Sequence, residues 1–150
     1  MIYQIKYNNH PELATYLGEQ YGTILRGTMS YHDVDYIIPI PLHSVRQRKR
    51  GYNQANYFAK GLSISMGRPV LTDILIRKVA TPSQTSKSRT DRYDNVEGIF
   101  EIMDTDILKE KTILLVDDVL TTGATLASAV NTLQRIEAVR ISIATLARRK

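Results

Sequence analysis

The sequence predicts an α/β fold, a Rossmann-like and mostly parallel sheet flanked by helices. Three observations carry that prediction. Short apolar runs alternate with helical patterns along the chain, which implies right-handed crossovers and helices on both faces of a sheet. One run, Ile113-Leu-Leu-Val116, is continuously apolar, as a central parallel strand buried on both faces requires. The length, 150 residues with 43% hydrophobic and 23% charged, suits a single domain over residues 1–150 with one core. No internal repeat or linker interrupts it.

From Pro11 to about Arg26, apolar residues recur at Leu13, Leu17, Tyr21, Ile24 and Leu25, a helical stripe with Pro11 in the first turn. Tyr36–Ile40 reads as a buried strand that Pro39 and Pro41 lead into a rigid loop. Asn53 is placed to cap a helix carrying Ala55, Phe58, Ala59 and Leu62 on one face, closed by Gly67 and Pro69. Leu71–Val79 has the composition of a further strand. Ala80–Asn95 is rich in Thr, Ser, Asp, Lys and Arg with almost no apolar residue, and a connection that long inside a compact domain is usually functional or mobile. Gly98–Ile102 and Thr112–Val116 follow as strands. Ala124–Arg135 then forms a helix with Leu126, Ala127, Val130 and Leu133 inward, and Val139–Leu146 is the last strand.

Composition narrows the chemistry. Without a cysteine the chain has no disulfide and no cysteine-based zinc or iron–sulfur site. The histidines at 10, 32 and 43 lack metal-ligand spacing and receive no role. No apolar run is long enough to span a bilayer, and the opening MIYQIKYNNH lacks the apolar core of a secretory signal, so a cytoplasmic location without membrane insertion is expected. Twenty basic against 15 acidic residues give a net charge of +5. The excess gathers at Arg46–Arg50, Lys87–Arg92 and Arg148–Lys150, and favours anionic partners such as nucleic acid or phosphorylated metabolites.

The most informative string lies at Ile113–Thr125. The apolar run ends in Asp117-Asp118, at the strand end where open α/β sheets bind ligands. Two adjacent carboxylates point to opposite sides of a strand and can accept hydrogen bonds from neighbouring ligand hydroxyls, or help hold a hydrated Mg²⁺. Thr121-Thr122-Gly123-Ala124-Thr125 then leads into a helix, whose first N–H groups, with a glycine for close approach, make a phosphate cradle. Acceptors for a sugar diol followed by donors for a phosphate match a ribose 5-phosphate. Rival readings fail on the sequence. There is no G-x-x-x-x-G-K-[ST] to accompany a Walker-B strand and no G-x-G-x-x-G for a dinucleotide. A receiver domain needs more chain than the 33 residues after Asp117.

The string Ile-Leu-Leu-Val-Asp-Asp-Val-Leu-Thr-Thr-Gly-Ala-Thr (113–125) closely resembles the signature of the type I phosphoribosyltransferases. In that family the paired acids hold the ribose hydroxyls of 5-phosphoribosyl 1-diphosphate and the turn holds its 5-phosphate. The resemblance assigns the ribose and catalytic role to Asp117 and Asp118. It assigns the 5-phosphate to Thr121, Thr122, Gly123, Ala124 and Thr125.

A second string, Ile38-Pro-Ile-Pro41-Leu-His-Ser-Val-Arg46-Gln-Arg-Lys-Arg50-Gly51-Tyr52-Asn53-Gln54, holds four cations in residues 46–50. Arginine clamps a diphosphate through paired donors, which points to Arg46 and Arg50. This string resembles the competence protein F family, a branch of the phosphoribosyltransferase fold. The opening Ile5-Lys-Tyr, the segment Gln84-Thr85…Arg89…Arg92…Asn95-Val-Glu-Gly98-Ile-Phe100 and the closing Leu146-Ala-Arg148 match its pattern too. Many members carry an N-terminal four-cysteine zinc ribbon before the Lys-Tyr segment, whereas this sequence opens at that segment, which implies either a short form or a chain trimmed ahead of it. The polar segment then corresponds to the loop that closes over the site in this fold, with Gln84, Thr85 and Lys87 in the loop and Arg89 and Arg92 toward the diphosphate.

The resemblance implies Mg²⁺ as cofactor, 5-phosphoribosyl 1-diphosphate as ligand and a link to competence and DNA uptake. It implies phosphoribosyl transfer to an acceptor that no residue pattern identifies. The alternative is a non-catalytic phosphoribosyl-sensing or single-stranded-DNA-binding competence protein, whose basic loops and tyrosines at 52, 57 and 93 suit backbone contact with base stacking.

Overall fold

The computed structural model describes residues 11–42, 51–78 and 98–149. Its centre is a parallel sheet in the order β1-β4-β5, with β1 Tyr36–Pro39, β4 Thr112–Leu120 and β5 Arg140–Arg148. Ile37 of β1 also bridges in parallel to Val70 on its outer side. The α/β fold with a parallel sheet and flanking helices is therefore as the alternation of the sequence predicts.

The continuous run in β4 divides between two faces, as period-two geometry dictates. Ile113 and Leu115 join Ile38, Leu126, Ala129 and Leu133 in one cluster, under helix α3 (Ala124–Leu133). Leu114 and Val116 join Ile37, Phe58, Ala59 and Leu62 in the other, under helix α2 (Gln54–Met66). All four β4 residues are fully buried. Asn53 caps α2 as expected, with its side chain accepting from the Ala55 N–H, and Gly67 ends it in the left-handed conformation.

Helix α1, Pro11–Arg26, has the expected span, but of the expected stripe it fully buries Leu25 alone. It packs on α2 and buries Ala14, Gly18, Gly22 and Leu25. Tyr21 and Ile24 stay exposed, and Leu13 and Leu17 are only half-buried. The reason is close approach. A Cβ on Gly22 would come within 2.9 Å of the Ser65 Cβ, and one on Gly18 would strike the Phe58 carbonyl. Small residues select this seam because only they let two helix backbones touch, and the Ser65 hydroxyl seals it by donating to the Glu19 carbonyl at 2.6 Å.

Two further expectations need correction. Among the described residues, the strand anticipated at Leu71–Val79 is only β2, Leu75–Arg77, with Val79 outside them, and it pairs antiparallel with β3, Phe100–Ile102, in a separate two-stranded sheet. Leu71 is instead held by the Ile37 carbonyl at 2.9 Å, which leaves Thr72–Ile74 to turn away from the parallel sheet. Leu75 and Phe100 still bury themselves in the α3-side cluster. In α3 the inward residues are Leu126, Ser128, Ala129 and Leu133. Val130 packs half-buried against the same cluster, as expected, whereas Ala127 is exposed because the face turned to the sheet runs through 126, 129 and 133.

Candidate functional site

β4 is buried from Thr112 to Val116 and half-buried from Asp117 to Leu120, so the acidic pair stands where the central strand emerges from the core. The ladder to β5 pairs Asp117 with Thr145 and Val119 with Ala147 and skips Asp118. The local cause is visible in the side chains. Asp117 Oδ1 accepts from the Asp118 N–H and Asp118 Oδ1 accepts from the Val119 N–H, each at 2.8 Å. Aspartate competes with the ladder for nearby backbone donors in this way. A carboxylate has about four acceptor positions, so these are groups whose chemistry is to accept from N–H and O–H donors.

The turn follows at once. Thr121 and Thr122 are exposed, and Gly123 adopts φ 80° and ψ −4° as the N-cap of α3. That left-handed conformation is the one glycine enters without steric cost. As a glycine, Gly123 has no side chain with which to cap α3. The Gly123 carbonyl accepts from the Ala127 N–H at 2.8 Å, and the Thr122 hydroxyl reaches the Ala124 N–H only at 3.4 Å. The first-turn N–H groups of a helix have no partner within it, and an N-terminus with a glycine cap presents them with the positive end of the dipole.

Two flanks frame this strand end. On one side, the Arg149 N–H donates to the Leu120 carbonyl at 2.9 Å and carries β5 alongside to the turn. On the other, the Ile40 N–H donates to the Val116 carbonyl at 2.7 Å, one residue beyond β1. The Ile40 carbonyl in turn accepts from Asn53 Nδ2 at 2.9 Å. Next to Asn53, the Tyr52 and Tyr57 rings meet edge to face at 5.7 Å. The charge pair Lys109–Asp106, at 2.7 Å, lies before the start of β4, and there the ammonium holds the Asp106 carboxyl below its ordinary pKa through their hydrogen bond.

The structure thus brings Asp117, Asp118, Thr121, Thr122, Gly123, Ala124 and Thr125 into one strand, turn and helix start. Arg46, Arg50, Gln84, Thr85, Lys87, Arg89 and Arg92 lie outside the described residues, as does the Ile5-Lys-Tyr opening. Sequence reasoning missed Thr145, which is placed opposite Asp117 only through the β5 register, and it gave Asn53 a cap but not the bond to Ile40. Among the described residues no group of three or more His, Cys, Asp or Glu side chains gathers to hold a metal. The donor set fits Mg²⁺ bound as it commonly is, by one or two carboxylates together with substrate phosphates and water. No helix of the described residues is long and apolar enough to cross a membrane.

Comparison with known proteins gives the same fold and a narrower kinship. Residues 50–150 match the family described as the phosphoribosyl transferase domain. Competence protein F of Haemophilus influenzae is 31% identical over 152 residues, covering 99% of this chain and 66% of that protein. The DNA utilization protein YhgH of Salmonella typhimurium is 27% identical over 151 residues, again 99% of this chain and 66% of its own. The chain therefore spans just under two thirds of the length of these curated relatives. Among solved structures, adenine phosphoribosyltransferase from Saccharomyces cerevisiae superposes with a TM-score of 0.60 at 16% identity, covering 93% of this chain and 70% of that one. At that identity the likeness is one of fold.

Proposed function

The chain belongs to the phosphoribosyl transferase domain family as a homologue of competence protein F, and from that premise we propose that it binds 5-phosphoribosyl 1-diphosphate with Mg²⁺ at the end of β4. The observation that supports this most is the sequence of groups along one segment. Two carboxylates at the emerging end of the central strand are followed directly by a turn and a helix N-terminus whose cap is a left-handed glycine.

In this reading Asp117 and Asp118 accept hydrogen bonds from the ribose hydroxyls, and the N–H groups of Gly123–Thr125 with the Thr121, Thr122 and Thr125 hydroxyls hold the 5-phosphate. Arg46, Arg50, Arg89 and Arg92 clamp the diphosphate as paired donors. Mg²⁺, when bound, supplies charge neutralisation that makes diphosphate a better leaving group. The two carboxylates also face the positive charge that develops at the ribose C1 as the bond to diphosphate breaks. Fixed charges aimed at that centre, together with positioning, are how such a site accelerates transfer. The acceptor attacks from the opposite face and takes the phosphoribosyl group.

The relatives' names connect this family branch with competence and DNA utilization, and from those names we propose a role in DNA uptake for this chain. A second reading, a non-catalytic phosphoribosyl sensor or single-stranded-DNA contact protein, draws on the Tyr52–Tyr57 pair close in sequence to the cationic Arg46–Arg50 string. Incubation with 5-phosphoribosyl 1-diphosphate, Mg²⁺ and a panel of bases and amines separates the two. Diphosphate release that depends on one acceptor supports transfer. Binding with no release from any member of the panel supports the second reading.

A further inference from the structure

We propose that Asn53 is a positioning residue of the candidate site, locking the N-terminus of α2 to the end of β1 and thereby fixing the backbone at Val116–Asp117. Two prolines set the geometry. Pro39 and Pro41 have no N–H, so the Ile40 amide is the sole backbone donor from 39 to 41 that can tie the end of β1 to β4. It does so at 2.7 Å, to the carbonyl of the residue directly before Asp117. The Ile40 carbonyl is held from behind by Asn53 Nδ2 at 2.9 Å. One peptide unit on each side of Ile40 therefore links α2 to the strand that presents the acidic pair.

Asn53 is built for this in a way a simple cap is not. Its Oδ1 accepts from the Ala55 N–H at 3.1 Å, while Nδ2 donates both to Ile40 and to Asn56 Oδ1 at 3.0 Å. The residue is buried, with 8% of its surface exposed. As helix caps, asparagine, aspartate and serine are about equal. Only asparagine among them offers an acceptor and two N–H donors at once. An aspartate here would set a carboxylate against the Ile40 carbonyl, and a serine could not span both partners. Sequence places Ile40 and Asn53 on either side of the Arg46 and Arg50 string.

The functional consequence rests on the ligand reading above, but the coupling itself can be read without ligand. Hydrogen exchange followed by NMR compares wild type with Asn53→Ser and Asn53→Asp, which keep a capping acceptor and lose the Nδ2 amide that bonds Ile40 and Asn56. Asn56→Ala, which leaves the Ile40 bond in place, is the control. The expected result for both Asn53 variants is exchange faster by about tenfold at the Ile40 and Asp117–Val119 amides. Amides in the middle of α3 should keep their wild-type rates, and Asn56→Ala should resemble wild type throughout. Titration with 5-phosphoribosyl 1-diphosphate and Mg²⁺ should then show an affinity about tenfold weaker for Asn53→Ser than for Asn56→Ala. Wild-type exchange at Ile40 and Asp117–Val119 in folded Asn53→Ser or Asn53→Asp overturns the coupling. So does uniformly faster exchange across the whole chain, the mark of a purely structural loss. If wild type itself binds no ligand, the ligand reading fails, and the exchange pattern still decides the role of Asn53.

Discussion

Gly18 of α1 and Gly61 of α2 meet backbone to backbone: a Cβ placed on Gly61 would lie 2.8 Å from the Gly18 Cα and 2.7 Å from the Glu19 nitrogen, and would also strike the Thr15 carbonyl. Nothing flexible stands in that seam to give way. Gly61→Ala should therefore destabilise the protein by about 1–3 kcal/mol, a drop in Tm of about 2–10 °C. Gly27→Ala is the matched control, since its Cβ would find its nearest neighbour, the Ile24 carbonyl, at 3.5 Å. Thermal unfolding followed by circular dichroism checks both. An unchanged Tm in Gly61→Ala would mean that the two helices do not touch through this seam.

The two faces of β4 make a second prediction. Leu114 packs toward α2 and Leu115 toward α3, and both are fully buried. Leu114→Ala and Leu115→Ala should each cost about 2–5 kcal/mol, because each leaves a cavity in a different cluster. A strand covered on one side only would tolerate one of the two. Denaturant unfolding of both variants measures the difference.

At the turn, Gly123 separates backbone conformation from space. Its φ is 80°, yet a Cβ there would meet only the Leu120 Cδ1, at 3.5 Å. Gly123→Ala should lose about 1–2 kcal/mol from the left-handed conformation alone, without a packing defect. If the turn holds a phosphate, its affinity for 5-phosphoribosyl 1-diphosphate should fall further than its stability does. Denaturation and titration on the same variant give the two numbers.

The single-stranded-DNA reading has its own test. If Arg46 and Arg50 each neutralise a phosphate, replacing both with alanine should weaken single-stranded DNA binding and flatten its salt dependence, by about 0.7 in slope for each phosphate no longer neutralised. Fluorescence anisotropy at several salt concentrations measures this. Binding that keeps its full salt slope without the two arginines would place the DNA surface elsewhere or nowhere.

How much of this was legible beforehand differs from element to element, for physical reasons. The β4 run and the cap at Asn53 were readable because each is local: a doubly buried strand needs continuous apolar residues, and a cap needs an acceptor just ahead of a helix. The face of α1 was not readable from its large residues. Leu13, Leu17, Tyr21 and Ile24 form a fair stripe, but the partner helix offers Gly61 and Ser65, and close approach selected Ala14, Gly18 and Gly22 instead. That choice belongs to the pair of helices and is invisible in either alone. The antiparallel β2–β3 pair was missed for a similar reason, since three-residue strands carry too little pattern to reveal their direction. In the site, Asp117-Asp118 and Gly123 could be found because their chemistry lies in consecutive residues. Thr145 and the second bond of Asn53 depend on register between distant segments, so only the fold exposes them.

In the proposed function, the end of β4 holds a phosphorylated ribose through Asp117 and Asp118. Calorimetric titration of wild type, Asp117→Asn and Asp118→Asn with 5-phosphoribosyl 1-diphosphate in the presence of Mg²⁺ tests it most directly. Wild type should bind saturably and each folded variant with affinity lower by at least about tenfold, as the loss of a charged hydrogen-bond acceptor implies. No heat of binding in wild type, or equal affinity in all three proteins, would contradict it.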